Sequence, residues 1–260
     1  MVPVVLSYSR AGRTRLETST RNPPMHPSPP IFCSRPVYNY FLEALEHMDT
    51  MDGLLQAAIA ISMHGDPKTY PEQILEQMQD LSDRVLEQCH TETPKALVSH
   101  LHDVMFDQLG FEGNGEHYDD VANSLLSQVL ATRKGIPITL SLIYVITAHD
   151  LGLPTVGINT PGHFLAAVEV DSDVMLVDPF NGGRILTDEQ AVEIIENVTG
   201  AMIDEDNAQA LFEPATHHQW IERLINNLIA VYHRMGSPRD LSAMRELKRL
   251  LLMSIGEEEA

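Results

Sequence analysis

The chain has 260 residues, which is enough for one substantial core and a smaller appendage, and its apolar content is ordinary for a globular protein. The formal net charge of −20 argues against nucleic acid as a partner, because the phosphate backbone would be repelled. No uninterrupted apolar stretch is long enough to span a bilayer, so the sequence also argues against a membrane protein.

Residues 1–36 differ from the rest of the chain in charge and composition. They carry five arginines, one acid and seven prolines, for a net charge of +4, while the remainder carries −24. A segment of this composition buries too little apolar surface to fold, so we predict a disordered tail over residues 1–36. Its arginine- and serine-containing start resembles an organelle transit peptide, and a non-native extension upstream of a true start at Met25 explains it equally well.

The two cysteines indicate the compartment. Cys33, a tail thiol, and Cys89, a helix thiol, form neither a disulfide framework nor a metal-ligand pattern. The sequence therefore predicts a reducing, cytoplasmic location, with organelle targeting by the basic tail as the alternative. It predicts no metal site and no cofactor.

The first half of the ordered region is predicted to be a helical layer. Apolar residues recur there at helical spacing, and Thr93-Pro94 is a typical cap and first turn. The predicted helices cover Tyr38–Met48, Leu54–Ile61, Tyr70–Cys89, Thr93–Leu109 and Asn123–Leu130.

The pattern changes at Gly135. Ile136-Pro137 opens a helix that runs to Asp150, with proline in its favoured first turn. Short β-branched or alternating runs then predict three strands, followed by a helix capped by Thr187. The predicted strands are 155–158, 164–168 and 174–177, and the helix is 188–198. This order predicts an α+β fold, in which helices pack on a small antiparallel sheet.

Two antiparallel helices are predicted at the C-terminal end, from Trp220 to Gly236 and from Ser237 to Leu251. Their size is typical of one tetratricopeptide-like repeat, which is marginal alone because repeats gain stability by stacking. We therefore expect the pair to pack on the core or on a partner. The predicted divisions are an α+β domain over 37–205, a helical pair over 206–255 and a solvated acidic tail over 256–260.

A histidine and an aspartate, fifteen residues apart, are the main candidate functional residues. They lie in Thr160-Pro161-Gly162-His163-Phe164 and Asp178-Pro179-Phe180-Asn181, on the two sides of a predicted hairpin. A turn over Glu169–Ser172 would place His163 directly opposite Asp178, with Cβ atoms roughly 4.5–5.5 Å apart. Asp178 could then orient the imidazole and stabilise its protonated form. A purely structural pair, or two unrelated residues at the hairpin end, remain alternatives.

Several motifs occur together in this chain. They are Leu109-Gly110-Phe111, Asn123-Ser124-Leu125, Arg133-Lys134-Gly135-Ile136-Pro137, Leu151-Gly152-Leu153-Pro154, Pro161-Gly162-His163-Phe164-Leu165 and Asp178-Pro179-Phe180-Asn181-Gly182-Gly183. As a set, over roughly residues 40–235, they resemble the transglutaminase-like core of SirB-type proteins. The resemblance implies a fold related to transglutaminases and papain-like hydrolases, whose active members use a Cys-His-Asp triad. It aligns His163 and Asp178 with the family's histidine and aspartate, and it implies a tetratricopeptide-like region at the C-terminal end.

The cysteine of that triad is missing. In active transglutaminase-fold enzymes it lies at the N-terminus of the helix before the sheet, where the helix dipole and an imidazolium lower its pKa. Here that helix begins at Ile136-Pro137-Ile138, and Thr139 and Ser141 are the only nucleophilic side chains in its first turns. A hydroxyl is a poor substitute, because its pKa lies far above neutrality. We therefore interpret Thr139 and Ser141 as a hydrogen-bonding and a packing residue.

Two functions remain open from the sequence. The first is a catalytically degenerate transglutaminase-fold protein that binds or regulates a protein partner, with the C-terminal helices as a platform. The second is a hydrolase or acyltransferase with His163 as base, Asp178 as orienter, and Thr139 or Ser141 as nucleophile. We prefer the first, because the reactive thiol is absent. Further candidate binding residues in the same motifs are Gly162, Phe164 and Asn181.

Overall fold

The computed structural model describes residues 28–91, 93–204 and 209–256, and within them nine α-helices pack with a four-stranded antiparallel sheet. The helices are α1 (Arg35–Leu45), α2 (Met51–Gly65), α3 (Pro71–Gln88), α4 (Pro94–His102), α5 (Leu126–Thr132), α6 (Pro137–Asp150), α7 (Asp188–Thr199), α8 (His217–Met235) and α9 (Pro238–Ser254). The strands are β1 (Glu112–Gly113), β2 (Lys134–Gly135), β3 (Thr155–Ile158), β4 (Leu165–Val170), β5 (Asp173–Asp178) and β6 (Arg184–Leu186). The predicted combination of many helices with a small antiparallel sheet is confirmed. Among the described helices, none has both the length and the apolar character needed to cross a membrane.

Three short strands were missing from the prediction. Strands β1 and β2 form a two-residue parallel ladder, and β6 adds a fourth strand beside β5. The predicted helix Thr93–Leu109 consists of α4 and a π-helical turn over Asp103–Gln108 that extends it. Strands of two or three residues are too short to display an alternating pattern, so periodicity does not reveal them.

The hairpin between β4 and β5 has a tighter turn than predicted. Val170 pairs with Asp173, so only Asp171 and Ser172 form the turn, and both have positive φ (51° and 75°). Two-residue turns of this kind match the right-handed twist of the flanking strands. The predicted turn over Glu169–Ser172 is therefore wrong, and Asp178 lies beyond the Ala166–Val177 pair rather than directly opposite His163. The shift is two residues, so the two side chains still lie on the same face.

One large apolar core joins the helices to one face of the sheet. Ala166 and Val168 of β4 pack in it together with residues of α1, α2, α6, α8 and α9. The opposite face, which includes Leu165 and Ala167, packs in a smaller cluster with α7. Trp220 of α8 is 1% exposed within the large core, so the C-terminal helices pack on the rest of the chain, which was one of the two expectations.

The predicted disordered tail extends too far along the chain. Its residues 1–27 lie outside the described residues, but α1 begins at Arg35, and the segment before it is anchored. The backbone N–H groups of Ile31, Phe32 and Cys33 donate to the carboxylate of Glu246 on α9, at 2.7, 3.0 and 2.8 Å. The boundary at residue 36 is therefore wrong, because a carboxylate on a distant helix satisfies these backbone donors.

Cys33 is consequently a buried thiol rather than a tail thiol. It is 7% exposed, and its Sγ donates to the Ala243 carbonyl at 3.4 Å. Burial, and then the negative charge of Glu246, raise the pKa of Cys33 to about 12. At pH 8 a thiol with such a pKa is thiolate in only about one molecule in 10⁴.

We expect Cys33 to resist alkylation while Cys89, which is half-buried, reacts. In a Cys89→Ser background, iodoacetamide labelling at pH 8 followed by mass spectrometry should show almost no adduct. Glu246→Ala should increase the labelling rate at least about tenfold, because it removes the acceptor that anchors residues 31–33 and uncovers the thiol. Glu43→Ala, an exposed acid of α1, is the control and should leave the rate unchanged. Rapid labelling of Cys33 without the Glu246 substitution would contradict the anchored segment.

Candidate functional site

The structure brings His163 and Asp178 together. Asp178 is the last residue of β5, and His163 lies in the loop between β3 and β4. Nε2 of His163 is 3.0 Å from Oδ2 of Asp178, with the ring N–H poorly aligned to that oxygen. Both residues are buried, at 5% and 0% exposure. The side chains reach each other diagonally across the hairpin, since long side chains span the diagonal of an antiparallel pair.

Asp178 also terminates its strand as a cap. Its Oδ1 accepts the backbone N–H groups of Phe180 and Asn181 at 3.1 and 3.3 Å, and its Oδ2 accepts the Asn181 side-chain amide at 2.7 Å. Burial alone would raise the pKa of Asp178, but His163 and the Asn181 donors outweigh it, and the pKa lies below its ordinary value of 3.8. The carboxylate is therefore charged at neutral pH and held by a complete set of donors.

An aromatic ring covers His163. Phe180 meets the imidazole edge to face, with 5.9 Å between ring centroids, and Tyr118 packs against Phe180 in turn. A Cβ atom on Gly113 would lie 2.5 Å from the Phe180 ring, so only glycine leaves room for the ring in this place. Among the described residues, no group hydrogen bonds to Nδ1 of His163, the nitrogen that a nucleophile would have to approach.

Neither candidate hydroxyl is engaged with His163. Ser141 donates to the Phe164 carbonyl at 3.1 Å, and its side chain is fully buried. Thr139 is 1% exposed, and its Oγ1 has no hydrogen-bond partner among the described residues. The start of α6 thus places two hydroxyls near the sheet but forms no nucleophile–base contact.

The other predicted binding residues differ in solvent exposure. Gly162 and Asn181 are exposed, whereas Phe164 is 0% exposed and stacks on Trp220 with centroids 4.5 Å apart. The prediction that Phe164 contacts a partner is therefore wrong, because Trp220 covers its ring. Among the described residues, no group of three or more His, Cys, Asp or Glu side chains is placed to hold a metal ion.

Sequence reasoning missed one residue that shapes the loop carrying His163. Arg223 of α8 donates to the side-chain oxygen of Asn159 and to the Thr160 carbonyl, the latter at 2.6 Å. Its guanidinium also lies 5.6 Å from the centroid of the Phe164 ring. More than sixty residues separate these partners in the chain, and an arginine on a polar helix face gives no local signal of such a contact.

The site thus consists of a buried helix, α6, followed by an antiparallel sheet that carries a His–Asp pair. A family model of the Transglutaminase-like superfamily matches residues 72–226, and the chain belongs to this superfamily. The matched range contains α3 to α7, the whole four-stranded sheet and the first half of α8.

The chain is similar to UPF0162 proteins of bacteria and to a mammalian F-box protein. A UPF0162 protein of Xylella fastidiosa (strain Temecula1) is 40% identical over 157 residues, which are 60% of this chain and 55% of the relative. A UPF0162 protein of Vibrio cholerae is 32% identical over 139 residues, which are 53% and 51% of the two chains. F-box only protein 21 of Homo sapiens is 31% identical over 159 residues, 57% of this chain but 24% of that protein. The chain thus spans about half the length of the UPF0162 relatives it matches. No solved structure matches it.

Proposed function

We propose that this protein is a catalytically inactive member of the Transglutaminase-like superfamily that acts by binding a protein partner. The observation that carries the proposal is the environment of His163. Its base nitrogen meets no thiol or hydroxyl among the described residues, and the Ser141 proton is directed to the Phe164 carbonyl. An acyl-transfer enzyme requires a nucleophile within hydrogen-bond reach of its base, about 2.6–3.2 Å.

The remaining contacts favour a structural role for the pair. Asp178 caps the turn that follows β5 and also accepts the Asn181 side-chain amide, with the His163 ring 3.0 Å away, and these contacts account for the buried carboxylate without any reaction. In F-box only protein 21 the matched region is about a quarter of the protein. This supports the view that the fold serves as one module among others. The SirB-type and papain-like relationships, the tetratricopeptide-like nature of α8 and α9, and the cytoplasmic location all stay predictions.

The proposal is tested with serine- and cysteine-directed acylating probes. In a Cys89→Ser background we expect peptide-level mass spectrometry to show no stoichiometric adduct on Thr139 or Ser141, because neither hydroxyl has a base to deprotonate it. A cysteine protease of related fold, treated in parallel, verifies that each probe is active. An adduct that disappears in both His163→Ala and Thr139→Val would establish the hydrolase or acyltransferase instead.

The same His163→Ala variant tests the binding half of the proposal. A partner is captured with the intact chain, purified, and titrated against the wild type and the variant. If the His163–Asp178 pair is structural, the partner should bind both with the same Kd. The far-ultraviolet spectrum of the variant establishes that it is folded. Failure of the wild-type chain to capture any partner that rebinds when purified would overturn the proposal.

A further inference from the structure

One cleft of the protein is lined by neither His163 nor Asp178. It has a volume of about 800 Å³ and is bounded by α4 with its π-helical extension on one side and by the β4–β5 hairpin on the other. Its apolar lining comes from Val98 of α4, Val170 and Met175 of the hairpin, and Ile185 of β6. Ile185 is 50% exposed, so part of this lining is open to solvent.

Ser99, His100 and His102 are further polar residues that line the cleft, and His102 is uncharged. Nε2 of His102 is 2.9 Å from the hydroxyl of Tyr144, and its ring meets those of Phe106 and Tyr144 edge to face. Burial lowers the pKa of His102 to about 4, so the imidazole is neutral at physiological pH. His102 therefore contributes no positive charge that would repel a cation.

The rim of the cleft is strongly acidic. Four aspartates line it, two from the extension of α4 and two from the hairpin tip, against one cation, Lys95. These aspartates are Asp103, Asp107, Asp171 and Asp173. In the described part of the chain, none of the four lies within ion-pair distance of a lysine, arginine or histidine. The cleft thus combines an apolar floor with a net rim charge of −3.

We propose that this cleft binds a basic segment of a protein partner, in which arginine or lysine residues flank an apolar side chain. The apolar side chain would enter between Ile185 and Met175, and the cations would face the aspartates. Charge complementarity selects this occupant, because an acidic or neutral segment would leave the four carboxylates of the cleft without a countercharge. The inference rests on the proposed function as a protein-binding module and names the chemistry of the partner.

The test uses a fluorescent nine-residue synthetic peptide that contains four arginines and two leucines, titrated by fluorescence anisotropy. We expect the wild-type chain to bind it, and a variant with Asp103, Asp107, Asp171 and Asp173 all changed to asparagine to bind at least about tenfold more weakly. Asparagine tolerates the left-handed backbone of Asp171, so the hairpin turn is retained. A peptide with serine in place of leucine should also lose about tenfold, as should Ile185→Ser.

A matched control separates the cleft from the overall charge. Glu72→Gln, Glu76→Gln, Asp80→Asn and Asp83→Asn neutralise four exposed acids of α3 and change the net charge by the same amount. This variant should bind within about twofold of wild type. Equal losses in the two charge variants, or no binding of the arginine–leucine peptide to the wild-type chain, would overturn the proposal. Melting temperatures establish that each variant is folded.

Failure of the cleft as a binding site can be distinguished from failure of the proposed function. A purified partner that binds wild type and the four-aspartate cleft variant equally well would leave the binding module intact and overturn only the cleft as its site. A covalent adduct dependent on His163 would overturn the proposed function, whatever the peptide does at the cleft.

Discussion

Replacement of Trp220 by alanine is expected to lower the free energy of unfolding by about 4 kcal/mol, in the middle of the range for buried aromatic truncations. The indole is 1% exposed, stacks on Phe164 and donates from Nε1 to the Ile138 carbonyl at 3.3 Å. A Cβ atom on Gly157 of β3 would lie 2.1 Å from the indole, so the ring fills the whole space above that strand. Truncation therefore leaves a cavity among α6, α8 and the sheet.

Chemical denaturation followed by circular dichroism measures this effect. Met235→Ala, on the same helix but 64% exposed, is the control and should change the free energy of unfolding by less than about 0.5 kcal/mol. Trp220 is the only tryptophan of the chain, so its fluorescence in the wild type should follow the same transition as the circular dichroism signal. A loss below about 1 kcal/mol in Trp220→Ala would mean that α8 is not part of the main core.

Replacement of Asp178 by alanine is expected to lower the free energy of unfolding by about 3 kcal/mol at pH 7, because three partly buried hydrogen bonds to a fully buried carboxylate are lost together with a cap. The donors are the Phe180 and Asn181 N–H groups and the Asn181 side-chain amide. The matched control is Asp120→Ala. Asp120 caps the 3₁₀ turn Val121–Ser124 in the same way but is exposed, so its loss should cost about 1 kcal/mol or less.

The loss of unfolding free energy caused by Asp178→Ala should also depend on pH and should become smaller as the pH falls. The pKa of Asp178 in the folded protein is below its ordinary value of 3.8, so the unfolded chain takes up this proton first as the pH falls. The stabilisation is therefore complete above about pH 5 and is lost as the pH falls from about 4 through the folded-state pKa. The difference in unfolding free energy between wild type and variant should shrink over that range. A difference that stays constant down to pH 3 would show that the carboxylate is not held as a charged acceptor.

The helices and strands of this protein were largely predictable from local patterns. The proline in the first turn of α6 and the caps at Thr93 and Thr187 mark helix starts that the structure contains, since the Thr93 and Thr187 side chains each accept a backbone N–H of the first turn. Such signals act over three or four residues, so the sequence carries them directly. The short strands β1, β2 and β6 escaped prediction, because their pairing partners are supplied by other parts of the chain.

The candidate site was predictable only in part. The His163–Asp178 contact was predicted from two residues on one face of a hairpin. The observed strand register differs from the predicted one by two residues, and a shift of two residues leaves both side chains on the same face. The burial of Phe164 under Trp220 and the anchoring of the His163 loop by Arg223 were not predictable. Both depend on how α8 lies against the sheet, which no local pattern specifies.

The amino-acid sequence by itself determined the α+β order, the family motifs, the His–Asp pair and the absence of a cysteine at the start of α6. These properties belong to residue identity and to spacings of a few residues. The tertiary structure decided that Asp178 is a satisfied cap, that the Ser141 proton is directed to a carbonyl, and that Glu246 anchors the segment around Cys33. Each of these is a hydrogen bond whose partner is chosen by packing, because a buried donor or acceptor must be paired with whichever group the fold brings within reach.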